Sequence, residues 1–289
     1  MDRALEQGDE GLKKLVLPAA GFYAVAFVLP LAALLAQGFV GGQGREGFPV
    51  LTLEHYRRFL GDPFNLRTLW QTVRLGLEVT AASLALGYPL AYLYTRAGSR
   101  AQKLILFCVI SPLLTSAVVR SFAWVVIFAR RGLVNTGLAA LGVVDRPVEL
   151  LYTHYGVVIA LTQIQLPLMV LPLIAVLEQI DPGLEQAARS LGATRFAVFR
   201  EVTVPLSVPG IVAGGLLVFA NAISAFITQS LVGGGRLLYM PTYVYQQAVV
   251  LLNWSFAATV STLLLLTALA VVWAGERLGR RYGRGHGRR

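Results

Sequence analysis

The residues of this chain that could do chemistry are few and stand in apolar surroundings. Arg74 and Glu78 lie four apart, Arg120 lies four residues before Trp124, and Asn221, Ser224 and Thr228 follow one another at spacings of three and four. An isolated charge in hydrocarbon is costly, so ionisable groups in apolar segments mark ion or solute contacts unless they pair with one another. Arg74 and Glu78 sit one helical turn apart and can close a local ion pair. Alternatively Glu78 meets a cationic solute, with Trp124 or Tyr92 supplying a ring that attracts the charge. Arg120 argues the other way, because a positive side chain on the same route repels a cation unless it is paired, and this leaves anionic solutes open. The stripe of Asn221, Ser224 and Thr228 faces protein or water rather than lipid, either packing helices or lining a route.

None of this resembles catalysis. His55, His154 and His286 are far apart without metal-ligand spacing, no Ser/His/Asp arrangement has supporting context, and no phosphate-binding glycine loop occurs. The single cysteine, Cys108, sits in LILFCVI and cannot build a disulfide or a thiolate metal site within the chain. No catalytic residue, metal ligand or cofactor of its own is therefore expected. The 289 residues are 56% hydrophobic and 14% charged, with a mean hydropathy of +0.64, which places the chain among integral membrane proteins. A net charge of +10 would suit nucleic acid, but the basic residues flank apolar spans rather than forming one basic domain. Membrane topology accounts for them, and no nucleic-acid partner is expected.

Six stretches are long and apolar enough to cross a bilayer as helices: 15–39, 66–94, 104–129, 155–177, 209–232 and 256–274. The first exceeds a typical signal-peptide apolar region and follows the acidic stretch Glu6 to Glu10, so it reads as a retained helix. Pro18, Pro30, Pro89, Pro112, Pro167 and Pro172 fall inside spans, where each removes a helical donor and favours a bend. With both termini on the cytoplasmic side, the cytoplasmic segments hold 15 basic residues and the external ones seven. The positive-inside rule therefore favours that orientation. The tail RLGRRYGRGHGRR fits a solvated topology anchor, with a lipid headgroup or partner contact as the alternative. One membrane domain over 1–289 is expected, without a repeat, a long linker or a second soluble domain.

In that topology 178–208 is a cytoplasmic loop long enough to need structure of its own. Asp181 is a good N-cap, Pro182 suits the first helical position, and Glu185 lies in the opening turn where the helix dipole favours negative charge. Leu184, Ala187, Ala188 and Leu191 fall on one side, and Gly192 ends the helix through a left-handed conformation. Thr194 caps a second short helix with Phe196, Val198 and Phe199, which is expected to end before Pro205. Small alanines and a polar rim make the pair a candidate docking element. Gly210 and Gly214 form a small-xxx-small pair for close helix packing. VGGGRLLYMPTYVYQQ, 232–247, reads as an irregular surface loop, or else as a gate or binding-protein contact.

The loop resembles the pattern carried by membrane subunits of binding-protein-dependent ABC importers: EAA, three residues, G, nine residues, I-x-LP. Here Gln186, Ala187 and Ala188 are followed by Gly192 and then by Val202, Thr203, Val204 and Pro205. Gln186 stands where the pattern has glutamate, with Glu185 one place earlier, and valines replace isoleucine and leucine. The similarity runs over 15–276 and looks nearest to spermidine/putrescine-type permease subunits. It is carried by LGYPLAYLYTR (86–96), VVRSFAWVVIFARRGLVN (118–135), LPLMVLPLIAVLEQIDPGLEQAARSLGA (166–193) and LVGGGRLLYMPTYVYQQ (231–247).

What the resemblance implies is an all-α membrane protein with six transmembrane helices in the type I ABC importer permease fold, seated in the bacterial inner membrane. It implies a non-catalytic subunit paired with a second permease subunit, an ABC ATPase dimer that uses ATP and Mg, and an extracytoplasmic solute-binding protein, together moving polyamines or a related small solute inward. Glu185, Gln186, Ala187, Ala188, Gly192 and Pro205 would form the ATPase-coupling loop. Glu78, Tyr92, Arg120, Trp124, Asn221, Ser224 and Thr228 are the candidates for the translocation pathway. A phosphonate or ferric-iron importer of the same family remains an alternative. So do an ion-coupled secondary transporter, which would usually show inverted halves, and a non-transporting scaffold.

Overall fold

The computed structural model describes residues 2–43 and 49–283; Arg45, Arg284, His286, Arg288 and Arg289, used above for topology or as histidines, lie outside them. The described residues are mostly helical and fall into two compact units, one made of Met1–Pro63 with Val244–Leu263 and the other of Phe64–Tyr243 with Leu264–Arg289.

In the first unit, α1 (Asp2–Gln37) carries the first expected span and runs unbroken through Pro18 and Pro30. Phe22, Tyr23, Phe27 and Leu29 of its apolar part all point outward, as on a helix whose surroundings are lipid. The helix stops at Gly38, where a Cβ would come within 2.8 Å of the Tyr56 hydroxyl, and the Thr259 hydroxyl donates to the Gly38 carbonyl at 3.2 Å. A short antiparallel ribbon follows, β1 (Val40–Gln43) with β2 (Pro49–Leu51), Val40 opposite Leu51. Nothing in the local sequence alternates, so the ribbon was not legible. After α2 (Glu54–Gly61), the fully buried Phe59 packs against Phe256 and the Arg58 guanidinium lies 5.3 Å over the same ring.

The second unit opens with α3 (Pro63–Arg96), 34 residues and unbroken through Pro89. It is about 50 Å long at the helical rise per residue. The third expected span is not one helix. Instead α4 (Ser99–Ile110) tightens into a 3-10 turn over Ser111–Leu114, and α5 (Ala117–Phe128) and α6 (Leu133–Ala140) come after it. Ser99–Leu114 and Ala117–Ala140 meet at 103°. Pro112 removes a helical donor there, and the Ser116 hydroxyl restarts the chain by accepting the Val118 N–H at 3.3 Å. Next comes α7 (His154–Leu177), continuous through Pro167 and Pro172 and buried on most sides.

The 178–208 segment gives α8 (Pro182–Ser190), α9 (Arg195–Val198) and a π-turn over Phe199–Thr203. That turn leads without interruption into α10 (Val204–Ser224). The fifth expected span is therefore interrupted as well: α10 stops at Ala225, whose ψ of 67° is not helical, and α11 (Phe226–Gly233) resumes the path. After α12 (Met240–Tyr245) and a second π-turn, α13 (Trp254–Gly283) carries the last span. By length and hydropathy, α7, the stretch Arg195–Ser224 and α13 can each cross a membrane, and the bent pair makes a fourth if taken as one span. Arg67, Arg74 and Glu78 lower the hydropathy of α3, and the apolar part of α1 is shorter.

The core of this unit is the α7–α10 crossing. A Cβ on Gly214 would come within 3.0 Å of the Met169 carbonyl oxygen, and one on Gly210 within 3.1 Å of that of Pro172, so the small pair does bring the two backbones together. The 232–247 segment is not an irregular surface loop. Gly234 and Gly235 take positive φ, and the chain then turns inward. Tyr239 and Met240 are buried, the Met240 N–H donates to Thr72 Oγ1 at 2.9 Å and the Tyr243 hydroxyl donates to Asn65 at 2.8 Å. Apolar Tyr and Met side chains at helical spacing outweighed the loop signal of the three glycines.

Candidate functional site

Two sites emerge, and the first is the loop pair. Asp181 caps α8, its carboxylate accepting the Gly183 N–H at 2.8 Å. At the other end the Gly192 N–H donates to the Arg189 carbonyl and the Ala193 N–H to that of Ala188, the double closure in which glycine supplies the left-handed residue. Gly192 has φ +90°. The three-residue spacing between the alanine pair and the glycine thus has a mechanical meaning: Ala188 offers the carbonyl that the chain beyond Gly192 closes on. Thr194 caps α9 by accepting the Ala197 N–H at 3.2 Å.

The second short helix does not end before Pro205, contrary to the expectation. Val204 keeps helical angles, and its N–H reaches the Phe199 carbonyl five residues back. This wider turn supplies slack where Pro205 brings no donor, so the strain of proline in a helix is absorbed rather than ending it.

Leu184 and Ala187 of α8, Leu191 at its C-cap, and Phe196 of α9 face outward, Leu191 being 89% exposed. The side that packs inward is instead marked by Glu185, 5% exposed. Its carboxylate accepts from the Arg96 guanidinium at the end of α3 and from the Thr203 hydroxyl at 3.1 Å. The Glu185 hydrogen bond raises the Arg96 pKa further above its ordinary value. Arg96 also stacks 5.1 Å over Tyr92, and Phe199 meets the rings of Tyr92 and Tyr88 edge-on at 5.4 and 5.7 Å. Tyr88 completes the joint through Ser207, oxygen to oxygen at 2.9 Å. Glu185 therefore pins α8 to both α3 and the π-turn, and Gln186, the residue at the pattern's glutamate position, is exposed.

The second site is a pocket of about 390 Å³ between the two interruptions, lined by Arg120, Gln165, Asn221, Ser224 and Thr228 together with apolar side chains such as Ile164 and Phe226. Four of the seven pathway candidates thus come together. Arg120 Nη1 donates weakly to the Ile164 carbonyl at 3.4 Å, while its buried Nε has no partner. Thr228 bonds Ser121 at 2.8 Å between the two hydroxyls, tying α11 to α5. Gln229 spans the α10–α11 break by donating to the Ala222 carbonyl at 2.9 Å. Trp124 stands one turn beyond Arg120, donating to Gln163 at 3.1 Å.

Glu78 and Tyr92 lie elsewhere. Glu78 closes the expected pair with Arg74 at 2.7 Å, and its other oxygen lies 2.5 Å from His154 Nε2. His154 Nδ1 in turn lies 3.0 Å from the Tyr239 hydroxyl. The ring face of Tyr92 is covered by Arg96 of its own helix. The sequence offered no local signal for His154 with Glu78, 76 residues apart, or for Arg96 with Glu185, 89 apart. Among the described residues no group of three or more His, Cys, Asp or Glu could hold a metal ion.

Residues 83–283 match the family of binding-protein-dependent transport system inner membrane components, and the chain belongs to that family. It is a multi-pass permease component of the inner membrane. Among its relatives, the spermidine/putrescine transport system permease protein PotB of Escherichia coli (strain K12) is 35% identical over 232 residues, 79% of this chain and 84% of the relative. PotB of Haemophilus influenzae is 32% identical over 260 residues, covering 88% and 90%. At 26% identity, covering 86% and 84%, stands a putative 2-aminoethylphosphonate transport system permease protein, PhnU, of Salmonella paratyphi A. In fold, a chain of a bacterial ABC transporter involved in the import of alginate superposes with a TM-score of 0.73 at 19% identity, covering 95% of this chain and 96% of that one. A chain of the MetNI methionine ABC transporter gives 0.56 at 18% identity, covering 75% and 95%. The fold is that of the type I ABC importer permease.

Proposed function

We propose that this chain forms one half of the pathway of an ATP-driven importer for polyamines. A second permease subunit would complete the pathway. An ATPase dimer consuming Mg-ATP would sit on the 178–208 side, and a solute-binding protein would deliver cargo from the other face, with both termini cytoplasmic. The solute class is supported by kinship with spermidine/putrescine permeases. The binding protein is supported by the family and by an alginate transporter of the same fold solved with its periplasmic protein bound. The observation that carries the reading is the loop pair: an outward apolar face on α8, closed by Gly192 and pinned from behind by Glu185. A helix held rigidly at its back and bare at its front suits docking and transmission of force. Leu184, Gln186, Ala187 and Leu191 would meet the ATPase.

The test is reconstitution of the four-component assembly in liposomes. ATP-dependent accumulation of labelled putrescine or spermidine, abolished when the binding protein is left out, is the expected result. Uptake of 2-aminoethylphosphonate in place of polyamines would reassign the solute and leave the importer intact. Accumulation by this subunit alone on an ion gradient would overturn the importer itself.

A further inference from the structure

Arg120 has the wrong sign for gripping a polycation, yet it stands in the pocket that gathers most of the pathway candidates. Its Nε is buried without a partner, it makes no ion pair among the described residues, and no Asp or Glu lines the pocket around it. The neighbouring polar groups do not offset the charge. The Asn221 amide donates to the Leu217 carbonyl and the Ser224 hydroxyl to that of Ala220, so both serve their own helix. The first residues of α11, Phe226 to Thr228, border the pocket with the positive end of that helix, and the last turn of α10, with Asn221 and Ser224, borders it with a negative end, so the two offset and the net charge there is that of Arg120.

We propose that Arg120 is an electrostatic barrier: a fixed positive charge between two helix interruptions that keeps cations from crossing except when ATP drives the change of shape. The inference rests on the pocket lying on the pathway proposed above. At an effective dielectric of about 20, a second unit charge about 6 Å from the guanidinium is disfavoured roughly 100-fold. A neutral solute feels none of this. The joints at Ser111–Ser116 and at Ala225 let the barrier move, and the Ser121–Thr228 bond makes α5 and α11 swing as one piece.

The experiment uses the assembled permease–ATPase complex in liposomes, without ATP or binding protein, preloaded with rubidium and with a neutral tracer, erythritol. Arg120→Gln raises rubidium efflux by up to about 100-fold and leaves erythritol efflux unchanged, while Arg120→Lys stays at the level of the unaltered complex. Asn221→Asp, which keeps Arg120 and gives it a carboxylate, raises rubidium efflux in the same way, so the barrier is tested even if Arg120→Gln fails to assemble. Unchanged rubidium efflux, or parallel leakage of erythritol, overturns the barrier. ATP-driven uptake by the unaltered complex tests the importer separately, because the leak assay needs neither ATP nor knowledge of the solute.

Discussion

At the scale of the residue, the Arg96–Glu185 pair is unequal, and that inequality decides what its removal does. Glu185 is nearly enclosed, whereas the Arg96 side chain is 41% exposed. Arg96→Ala therefore strands a buried carboxylate with Thr203 as its remaining donor, whereas Glu185→Gln keeps an acceptor in place and returns Arg96 to solvent. A fully buried orphan charge would cost about 3–5 kcal/mol. Solvent screening on the arginine side brings the expected loss for Arg96→Ala to about 1–2 kcal/mol, with less for Glu185→Gln. Thermal unfolding of the purified complex checks the order, and equal losses would mean that the carboxylate is better hydrated than its burial indicates. Residues of this kind mark the limit of what the sequence discloses. Asp181, Pro182, Gly192 and Thr194 were readable because a cap bonds within three residues of itself. Arg96 was not, because its partner is 89 residues away.

At the scale of the element, hydropathy averages over a window and so hides an interruption that lies inside an apolar run. The spans at 104–129 and 209–232 looked continuous for that reason, although Pro112 pointed to the first break. Nothing comparable announces Ala225, where the break is held by Gln229 reaching back to Ala222. Proline marks no break elsewhere, since Pro89, Pro167 and Pro172 lie within unbroken helices. The α7–α10 crossing was more legible, because two glycines four apart leave one face of a helix without side chains. Its dependence on backbone contact gives a sharp contrast between neighbours. A Cβ on Gly214 would meet the Met169 carbonyl and Cα at 3.0 and 3.2 Å, whereas one on Gly215 would meet only a Thr80 methyl at 3.6 Å. Gly214→Ala should then cost about 1–3 kcal/mol by forcing α7 and α10 apart, and Gly215→Ala should stay within about 0.5 kcal/mol of neutral. Denaturation midpoints of the two variants settle the comparison.

At the scale of the whole molecule, the sequence contains no nucleotide-binding loop of its own, so under the proposed function every conformational change must enter through a surface. The candidate entry is α8, and its hinge is Gly192. A side chain there would touch nothing within 4 Å, yet φ is +90°; the penalty for a substitution is backbone strain alone, roughly 1–2 kcal/mol for an ordinary residue and more for a β-branched one. That separates two consequences that mutations usually mix. Gly192→Val should leave the membrane helices folded, because no packing is lost, but should misplace α8 relative to α9 and the π-turn. In the reconstituted assembly, ATP hydrolysis would then persist while solute uptake falls by an order of magnitude or more. Gly192→Asn, which tolerates left-handed angles, should retain most of the uptake. If the valine variant transports normally, force reaches α10 by some path other than this hinge. If valine and asparagine fail alike, the glycine is needed for close approach of a partner rather than for its backbone angles, and the docking face must extend over Gly192 itself.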